Sequence, residues 1–332
     1  MIINKNIKII LLSLAVIVCL VVVNFIQSNY TILIINTSLI YAMTAYGLSV
    51  MLGMGGQLVF SGIAFMGIGA YFVANFCSGR LPFTLSPVFA VVLSVLGTSI
   101  IALGVGALFL RLKSSFCTFA TLAFVQVLNS IFQNYEPAFG GPKGIPNISK
   151  FSFMGITFTS YKEWFYLLFI LIIVLGIIVE RIRRTKLGRS LASIRDNEIA
   201  AQTLGVNIYK TRVISFIISG ALAGLSGSLL AFHTGFVSAD LFTFTKSSTL
   251  VVMSMLGGIN STIGIIVGAL LVTFLPEALR GLDNYLMMIY GFIVIIMMIF
   301  MPMGIGGIAS DWARSMRRKR VLSANSGREE KP

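Results

Sequence analysis

Residues 164–179 read WFYLLFILIIVLGIIV and carry no charge, although Glu163 precedes the run and Glu180 follows it. With these two flanking residues the segment 163–180 reaches the lower part of the range of about 17–25 residues with which an α-helix crosses the ~30 Å hydrocarbon core of a bilayer. The sequence therefore predicts a transmembrane helix over 163–180. Comparable apolar runs predict further spans at 9–28, 31–52, 57–77, 84–110, 115–135, 213–233, 241–256, 263–279 and 285–301.

The composition of the whole chain agrees with this reading. Its 332 residues are 57% hydrophobic and only 11% charged, with a mean hydropathy of +0.94. A soluble fold cannot internalise so much apolar side chain, and the period-two alternation of a membrane barrel is absent. We predict an all-α, polytopic helical bundle with about 8–10 transmembrane helices. It forms one membrane domain over 1–310, and a basic cytoplasmic tail follows over 311–332.

The distribution of positive charge predicts the orientation. With the N-terminus in the cytoplasm, nineteen of the 25 Lys and Arg residues fall on the inner side and six on the outer side. Basic residues near span ends are retained in the cytoplasm, so both termini are predicted to be cytoplasmic in a bacterial inner membrane. The net charge of +14 then reflects topology and contact of the tail with anionic lipid, and indicates no nucleic-acid partner.

Several features of catalytic proteins are missing from the sequence. No G-x-x-x-x-G-K-[ST] run is present, so any ATP would be bound by partner subunits, and no cofactor is predicted for this chain. The acidic residues lie near span ends, which argues against an intramembrane proton relay. The single histidine, His233, has no identifiable nucleophile or acid partner, so no catalytic residue and no metal site is predicted.

The connection 181–212 contains the signals of a short helix. Asp196 or Asn197 is suited to cap its first turn, Glu198 favours the positive end of the helix dipole, and Gly205 suits a left-handed stop. Between them, Ala200 and Ala201 lack bulk, which would let the helix enter a groove on another protein. An ordinary solvated loop helix is the alternative reading of the same signals.

An ordered set of motifs makes the chain resemble a known family. The segment from Glu198 through Ala200-Ala201 to Gly205 resembles the coupling loop of ABC importer permeases. Further matches are SGALAGLSG at 219–227, GQL at 56–58, FMGIGAY at 65–71, GGPKG at 140–144, LGG at 256–258 and PMG at 302–304. Over about 35–308 the sequence is similar to LivM-type permeases of branched-chain amino-acid importers.

This resemblance implies a subunit of an ATP-driven importer of branched-chain amino acids. Its partners would be a second, related permease, two cytoplasmic ABC ATPases and an extracytoplasmic substrate-binding protein. The ATPase-coupling loop would use Arg195, Asp196, Glu198, Ala200, Ala201 and Gly205.

Two glycine-rich segments, 53–56 and 257–260, predict interruptions of transmembrane helices. Consecutive glycines weaken a helix, and a polar residue follows each cluster at once; interrupted helices are tolerated where the freed backbone lines a cavity or is buried in protein. A partial echo between 52–71 and 256–272 is consistent with an internal repeat that places the two breaks opposite each other. The predicted pathway residues are Gly55, Gly56, Gln57, Asn129, Gly257, Gly258 and Asn260.

Other functions remain open on the sequence alone. A permease for urea, amides or another small polar nutrient would carry similar motifs. From a different class, a channel or secondary carrier would move solute without ATPase subunits. An intramembrane enzyme is the third alternative. It is the weakest, because the sequence places no pair of catalytic groups at membrane depth.

Overall fold

In the computed structural model, residues 28–80, 85–153 and 155–279 are described, together with positions 24, 288, 289, 291, 292, 295 and 304. These residues form α1 (Asn29–Leu48), α2 (Gly62–Cys77), α3 (Pro87–Phe109), α4 (Ser114–Asn134), α5 (Glu136–Phe139), α6 (Tyr161–Arg184), α7 (Lys186–Asp196), α8 (Glu198–Thr203), α9 (Ile208–Thr234), α10 (Phe244–Gly257) and α11 (Thr262–Ala278). A π-helical turn, Ser49–Met54, extends α1, and 3₁₀ turns occupy Gly141–Lys143 and Ala239–Phe242. Strands β1 (Ser152–Phe153) and β2 (Ile156–Thr157) form a small antiparallel hairpin.

The helical membrane class predicted from the sequence is confirmed. Five described helices are long and apolar enough to cross a membrane: Asn29–Met54, Pro87–Phe109, Ser115–Asn134, Tyr161–Arg184 and Ile208–Thr234. The predicted spans 57–77, 241–256 and 263–279 correspond to the shorter helices α2, α10 and α11. The spans predicted at 9–28 and 285–301, and the tail 311–332, lie outside the continuously described ranges.

Helices α1, α2 and α9 form the centre of the described bundle. Small residues allow close packing there: a Cβ at Gly224 would collide with Thr98, and one at Gly227 would collide with the Met66 carbonyl oxygen. In membranes such small-residue contacts supply the van der Waals packing that holds helices together. A buried hydroxyl also links two of these helices: Ser226 Oγ of α9 donates to the Ile40 carbonyl of α1 at 2.6 Å.

Both predicted helix interruptions are present. After α1 the chain loosens into the π turn, and residues 55–61 are irregular before α2 begins at Gly62. The sequence-based span that starts at 57 is therefore too long at its N-terminal end. Between α10 and α11 the chain turns at Gly258, which has φ +94°, a conformation that non-glycine residues rarely adopt.

The connection 181–212 is more helical than the sequence predicts. Helix α6 continues to Arg184, α7 follows over Lys186–Asp196, and α9 begins at Ile208. The sequence indicated only the short central helix, α8. An amphipathic signal for α7 was available: Leu191 and Ile194 lie one turn apart and are buried together with Gly188.

Candidate functional site

The two helix interruptions lie against each other at one end of the bundle. A Cβ at Gly53 would collide with the Ile259 carbonyl oxygen and would lie 3.3 Å from Asn260 Oδ1. Tyr46 Oη, one turn above the first break, donates to the Thr262 carbonyl at 3.1 Å, where α11 begins. Gly304 lies against the second break, so closely that a Cβ at Gly304 would collide with Gly258. The prediction that the breaks oppose each other is confirmed.

Helix α7 packs on the first break. A Cβ at Gly55 would lie 3.2 Å from Leu191 Cδ2, and a Cβ at Gly56 would collide with the aliphatic stem of Arg195. Gly56 has φ +65°, which favours glycine. Arg195 Nη1 donates a hydrogen bond of 2.8 Å to the Gly53 carbonyl. One side chain of α7 thus covers the break and binds a backbone oxygen that the loosened helix exposes.

A second arginine reaches the other break. Arg183 Nη1, in the last turn of α6, donates to the Asn260 carbonyl at 2.6 Å and to Glu180 Oε2 at 2.9 Å. Its Nε and Nη2 are buried and have no hydrogen-bond partner among the described residues. The connecting segment therefore holds both interruptions, one through Arg195 and one through Arg183.

Helix α8 carries the coupling-loop motif at the exposed end of this assembly. Asn197 Oδ1 accepts a hydrogen bond from Ala200 N at 3.0 Å, so Asn197 and not Asp196 is the N-cap. Gly205 has φ +82°, as the sequence predicts for the stop. Ala201 is buried, whereas Ile199 and Leu204 are 77% and 81% exposed.

A bidentate ion pair fixes α8 to α9. Arg212 Nη1 and Nη2 donate to Glu198 Oε1 and Oε2 at 3.0 and 2.8 Å. The Arg212 side chain is 11% exposed and that of Glu198 is 49% exposed. Planar, charge-assisted pairs of this kind set orientation as well as adding energy. Asp196, by contrast, forms an exposed pair with Arg195.

The predicted pathway residues occupy different environments. Gly55, Gly56, Gly257, Gly258 and Asn260 belong to the opposed breaks. Gln57 is buried, and its Oε1 has no hydrogen-bond partner among the described residues. Their role in transport stays a prediction.

Asn129 lies apart from the breaks. Its Nδ2 donates to the Ala239 and Phe242 carbonyls at 2.8 and 3.2 Å, and its Oδ1 accepts from Gln133 Nε2 at 3.2 Å. The side chain thus braces α4 against the 3₁₀ turn before α10. Because the Asn129 side chain is buried, it lines no open surface. Its role in the pathway stays a prediction.

The contacts of Arg183 and Arg212 were not predicted from the sequence. Arg183 is 77 positions from Asn260, and Arg212 lies on a different helix from Glu198. No local sequence pattern predicts such contacts. A charged side chain at a span end is ordinary in membrane helices, and only the fold shows which carbonyl or carboxylate it meets. Among the described residues, no group of three or more His, Cys, Asp or Glu is placed to hold a metal ion.

A bundle with five apolar helices of spanning length among the described residues defines a multi-pass membrane protein. Residues 30–302 match the family model described as branched-chain amino acid transport system / permease component. The chain belongs to this family of ABC permeases, and it is a multi-pass inner-membrane protein.

Curated relatives agree with the family. The chain is 30% identical over 320 residues to the high-affinity branched-chain amino acid transport system permease protein LivM of Escherichia coli K12, covering 89% of this chain and 74% of the relative. The LivM protein of Salmonella typhimurium gives the same figures. A probable branched-chain amino acid transport permease protein LivH of Methanocaldococcus jannaschii is 32% identical over 190 residues, covering 54% of this chain and 55% of the relative. No solved structure matches the chain.

Proposed function

We propose that this chain is the membrane subunit of an ATP-driven importer and that α7 and α8 transmit the motion of partner ATPases to the two helix breaks. The observation that carries the proposal is the pair of hydrogen bonds from Arg195 to Gly53 and from Arg183 to Asn260. They connect the segment with the coupling-loop motif to both interruptions. No nucleotide site is needed in this chain for such a mechanism.

The orientation follows from charge. The nineteen-to-six distribution of Lys and Arg places the connection 181–212, and with it the two breaks, at the cytoplasmic end. The same distribution supports a cytoplasmic location for both chain termini. The ATPases are cytoplasmic, so this is the end at which they dock.

The docking surface is α8 with its exposed apolar side chains. Ile199 and Leu204 are more than three-quarters exposed, and Ala200 is exposed beside them. Large apolar side chains that stand together in water mark protein contacts. A short helix with small residues on one face enters a groove on a partner, which is the mode that this surface fits.

The mechanism is mechanical. ATP binding closes the partner dimer and displaces α8, and the Glu198–Arg212 pair carries this displacement to the start of α9. Helix α7 moves with α8, so Arg195 and Arg183 pull on the carbonyls of Gly53 and Asn260. Opposed breaks separate or close, and access to the pathway switches between the two sides.

The cargo is a hydrophobic amino acid, and leucine, isoleucine and valine are the first candidates. This assignment rests on the names of the LivM relatives from Escherichia coli and Salmonella typhimurium. The remaining partners are a second, related permease and an extracytoplasmic binding protein that delivers the cargo.

Uptake by the reconstituted complex tests the proposal. Proteoliposomes containing this chain, its permease partner and the ATPases are given binding protein and, in turn, leucine, alanine, glutamate and urea, with or without ATP. We expect ATP-dependent uptake of the branched-chain amino acid. Uptake by this chain without ATPases would identify a carrier or channel, and uptake of urea alone would replace the cargo assignment.

A further inference from the structure

One spanning helix exposes a polar stripe. On α4, Gln126, Ser130 and Asn134 follow each other at intervals of four residues, and all three are exposed. Residues at this spacing share one helix face. Together with Val127, Ile131 and Tyr135 they line a shallow, open depression on this face of the helix.

The outward faces of α3 and α6 lack such a stripe. The exposed residues of α3 are all apolar: Phe89, Val92, Leu93, Leu96, Ile100, Leu103, Gly104 and Leu108. On α6, the exposed residues between Trp164 and Glu180 are Ile170, Val174, Ile177 and Ile178. These faces suit lipid tails. The exposed face of α4 does not.

Lipid contact would carry a large cost at this stripe. An amide moved from water into hydrocarbon without a hydrogen-bond partner costs roughly 4–8 kcal/mol. Asn134 Nδ2 donates to the Ser130 carbonyl of its own helix at 2.8 Å, which satisfies only part of its amide. Gln126 lies deeper in the span and is exposed. The stripe therefore faces water or a polar molecule.

We infer that Gln126, Ser130 and Asn134 form this subunit's wall of the cargo pathway and that the wall takes a small zwitterion, an α-amino acid. The inference rests on the proposed importer function. From Ser114 to Asn134 the helix contains no acidic or basic residue, so no fixed charge would trap either end of a zwitterion. Amide and hydroxyl groups bind its ammonium and carboxylate groups in passing, and Val127 and Ile131 contact its aliphatic part.

Bulky neighbours favour cargo over a second subunit as the occupant. Helix seams in membranes use small residues that let two backbones approach closely. The exposed face of α4 instead carries Phe116, Phe119, Val127 and Ile131, with exposed fractions between 41% and 66%. These bulky side chains differ from the small residues with which such a seam is built.

The position of the stripe fits an entry route. In the proposed orientation Asn134 is near the outer surface, and Gln126 lies about 12 Å deeper at 1.5 Å per residue. The cytoplasmic half of the same face presents Phe116 and Phe119. Asn129 turns into the bundle and braces the helix, so it keeps the polar face directed outward.

Cysteine labelling tests whether water reaches the wall. In a variant without the native cysteines, Gln126→Cys, Ser130→Cys and Asn134→Cys are compared with Leu96→Cys and Ile100→Cys, which are exposed positions on α3. The assembled importer is treated from outside with a membrane-impermeant methanethiosulfonate. Because thiolates react only where water is present, we expect labelling at least about tenfold faster at the three α4 positions, and slower labelling when leucine-loaded binding protein is added.

Other results overturn the inference. Labelling as slow as at the α3 controls would make the stripe a lipid face. Protection from the reagent combined with disulfide formation to the second permease would make it a subunit seam.

Uptake provides an independent measurement. Gln126→Leu is expected to lower ATP-driven leucine uptake at least about fivefold, whereas Gln126→Asn retains most of it, because the amide and not the length of the chain binds cargo. Equal uptake by both variants and the wild type would contradict the assignment. If the wild-type complex transports no amino acid, the proposed function fails, and the labelling rates still decide whether the face is lined by water.

Discussion

Arg195 on α7 donates from Nη1 to the carbonyl oxygen of Gly53 at 2.8 Å, although the two residues are separated by 142 positions in sequence. The bond joins the connecting segment to the point at which α1 loosens. A backbone oxygen released from its helix needs a donor, and a guanidinium supplies a charged one. The proposed transmission of motion to the first break therefore depends on a contact that substitution can remove.

Removal of the Arg195–Gly53 hydrogen bond is expected to uncouple ATP hydrolysis from transport. A hydrogen bond to a charged group contributes about 1.5–3 kcal/mol, so Arg195→Ala should weaken the linkage between α7 and the first break by roughly 10- to 100-fold. The ratio of leucine imported to ATP hydrolysed, measured in proteoliposomes, should fall accordingly. Arg195→Lys should recover part of it, because a single ammonium still reaches one carbonyl.

Arg181→Ala is the matched control for this experiment. Arg181 is exposed, and the change removes a positive charge from the same connection. An unchanged ratio in Arg195→Ala, or an equal fall in Arg181→Ala, would show that general charge and not the Gly53 contact matters.

The close approach of the two breaks predicts a second result. Gly53→Ala places a methyl group against the Ile259 carbonyl oxygen, so the breaks must move apart. We expect a loss of uptake of at least about tenfold, since a displacement of the order of an ångström in a packed interior is costly. Gly104→Ala on α3 is the control, because a Cβ there meets nothing within 4 Å. Full uptake by Gly53→Ala would mean that contact between the breaks is unimportant.

The sequence predicts the elements of this site better than their arrangement. The breaks at 53–56 and 257–260 and the cap and stop of α8 depend on local rules for glycine and side-chain capping, so they were predictable. That Gly53 meets Ile259 was suggested only by the weak repeat. The Arg183–Asn260 and Arg195–Gly53 bonds depend on tertiary packing, which no spacing in the sequence encodes. Helix α7 was missed because its polar residues resemble those of a solvated loop.

The Glu198–Arg212 pair predicts an effect on stability. Without Glu198, the nearly buried guanidinium of Arg212 loses its counterion, so Glu198→Ala should cost about 1–3 kcal/mol in the free energy of unfolding. Thermal unfolding in detergent, with Arg212→Ala and the double variant completing a cycle, measures the coupling energy. Asp196→Asn, at an exposed pair, should change stability by less than about 1 kcal/mol. A coupling energy near zero would remove the pair from the transmission route.

Substitution of Gly205 is expected to disturb the backbone conformation at the end of α8 without causing a steric clash. A Cβ at this position meets nothing within 4 Å, but φ is +82°, where a side chain costs roughly 1–2 kcal/mol. Gly205→Val should therefore loosen the end of α8 and lower uptake, while Gly205→Asn is tolerated better because Asn adopts the left-handed region more readily. Hydrogen exchange of residues 198–206 checks the cause. Equal exchange and uptake in both variants would contradict a role of the stop conformation.

Ala200 is a small, exposed residue of α8, and a larger side chain at this position is expected to weaken ATPase binding. Ala200 is exposed and Ala201 is buried, so Ala200→Leu leaves the packing of this chain intact but holds α8 out of the groove that we propose on the ATPase. Extra bulk forced into a packed contact costs about 1–3 kcal/mol, which corresponds to roughly a 5- to 150-fold loss of affinity. Copurification of tagged ATPase with the permease, and its titration in nanodiscs, measure this loss. Thr203→Ala removes only a bond to the Ala200 carbonyl of the same helix and should bind normally. Normal ATPase binding by Ala200→Leu would place the docking contact elsewhere on the chain, because a leucine at the centre of a filled groove cannot be accommodated without displacement of α8.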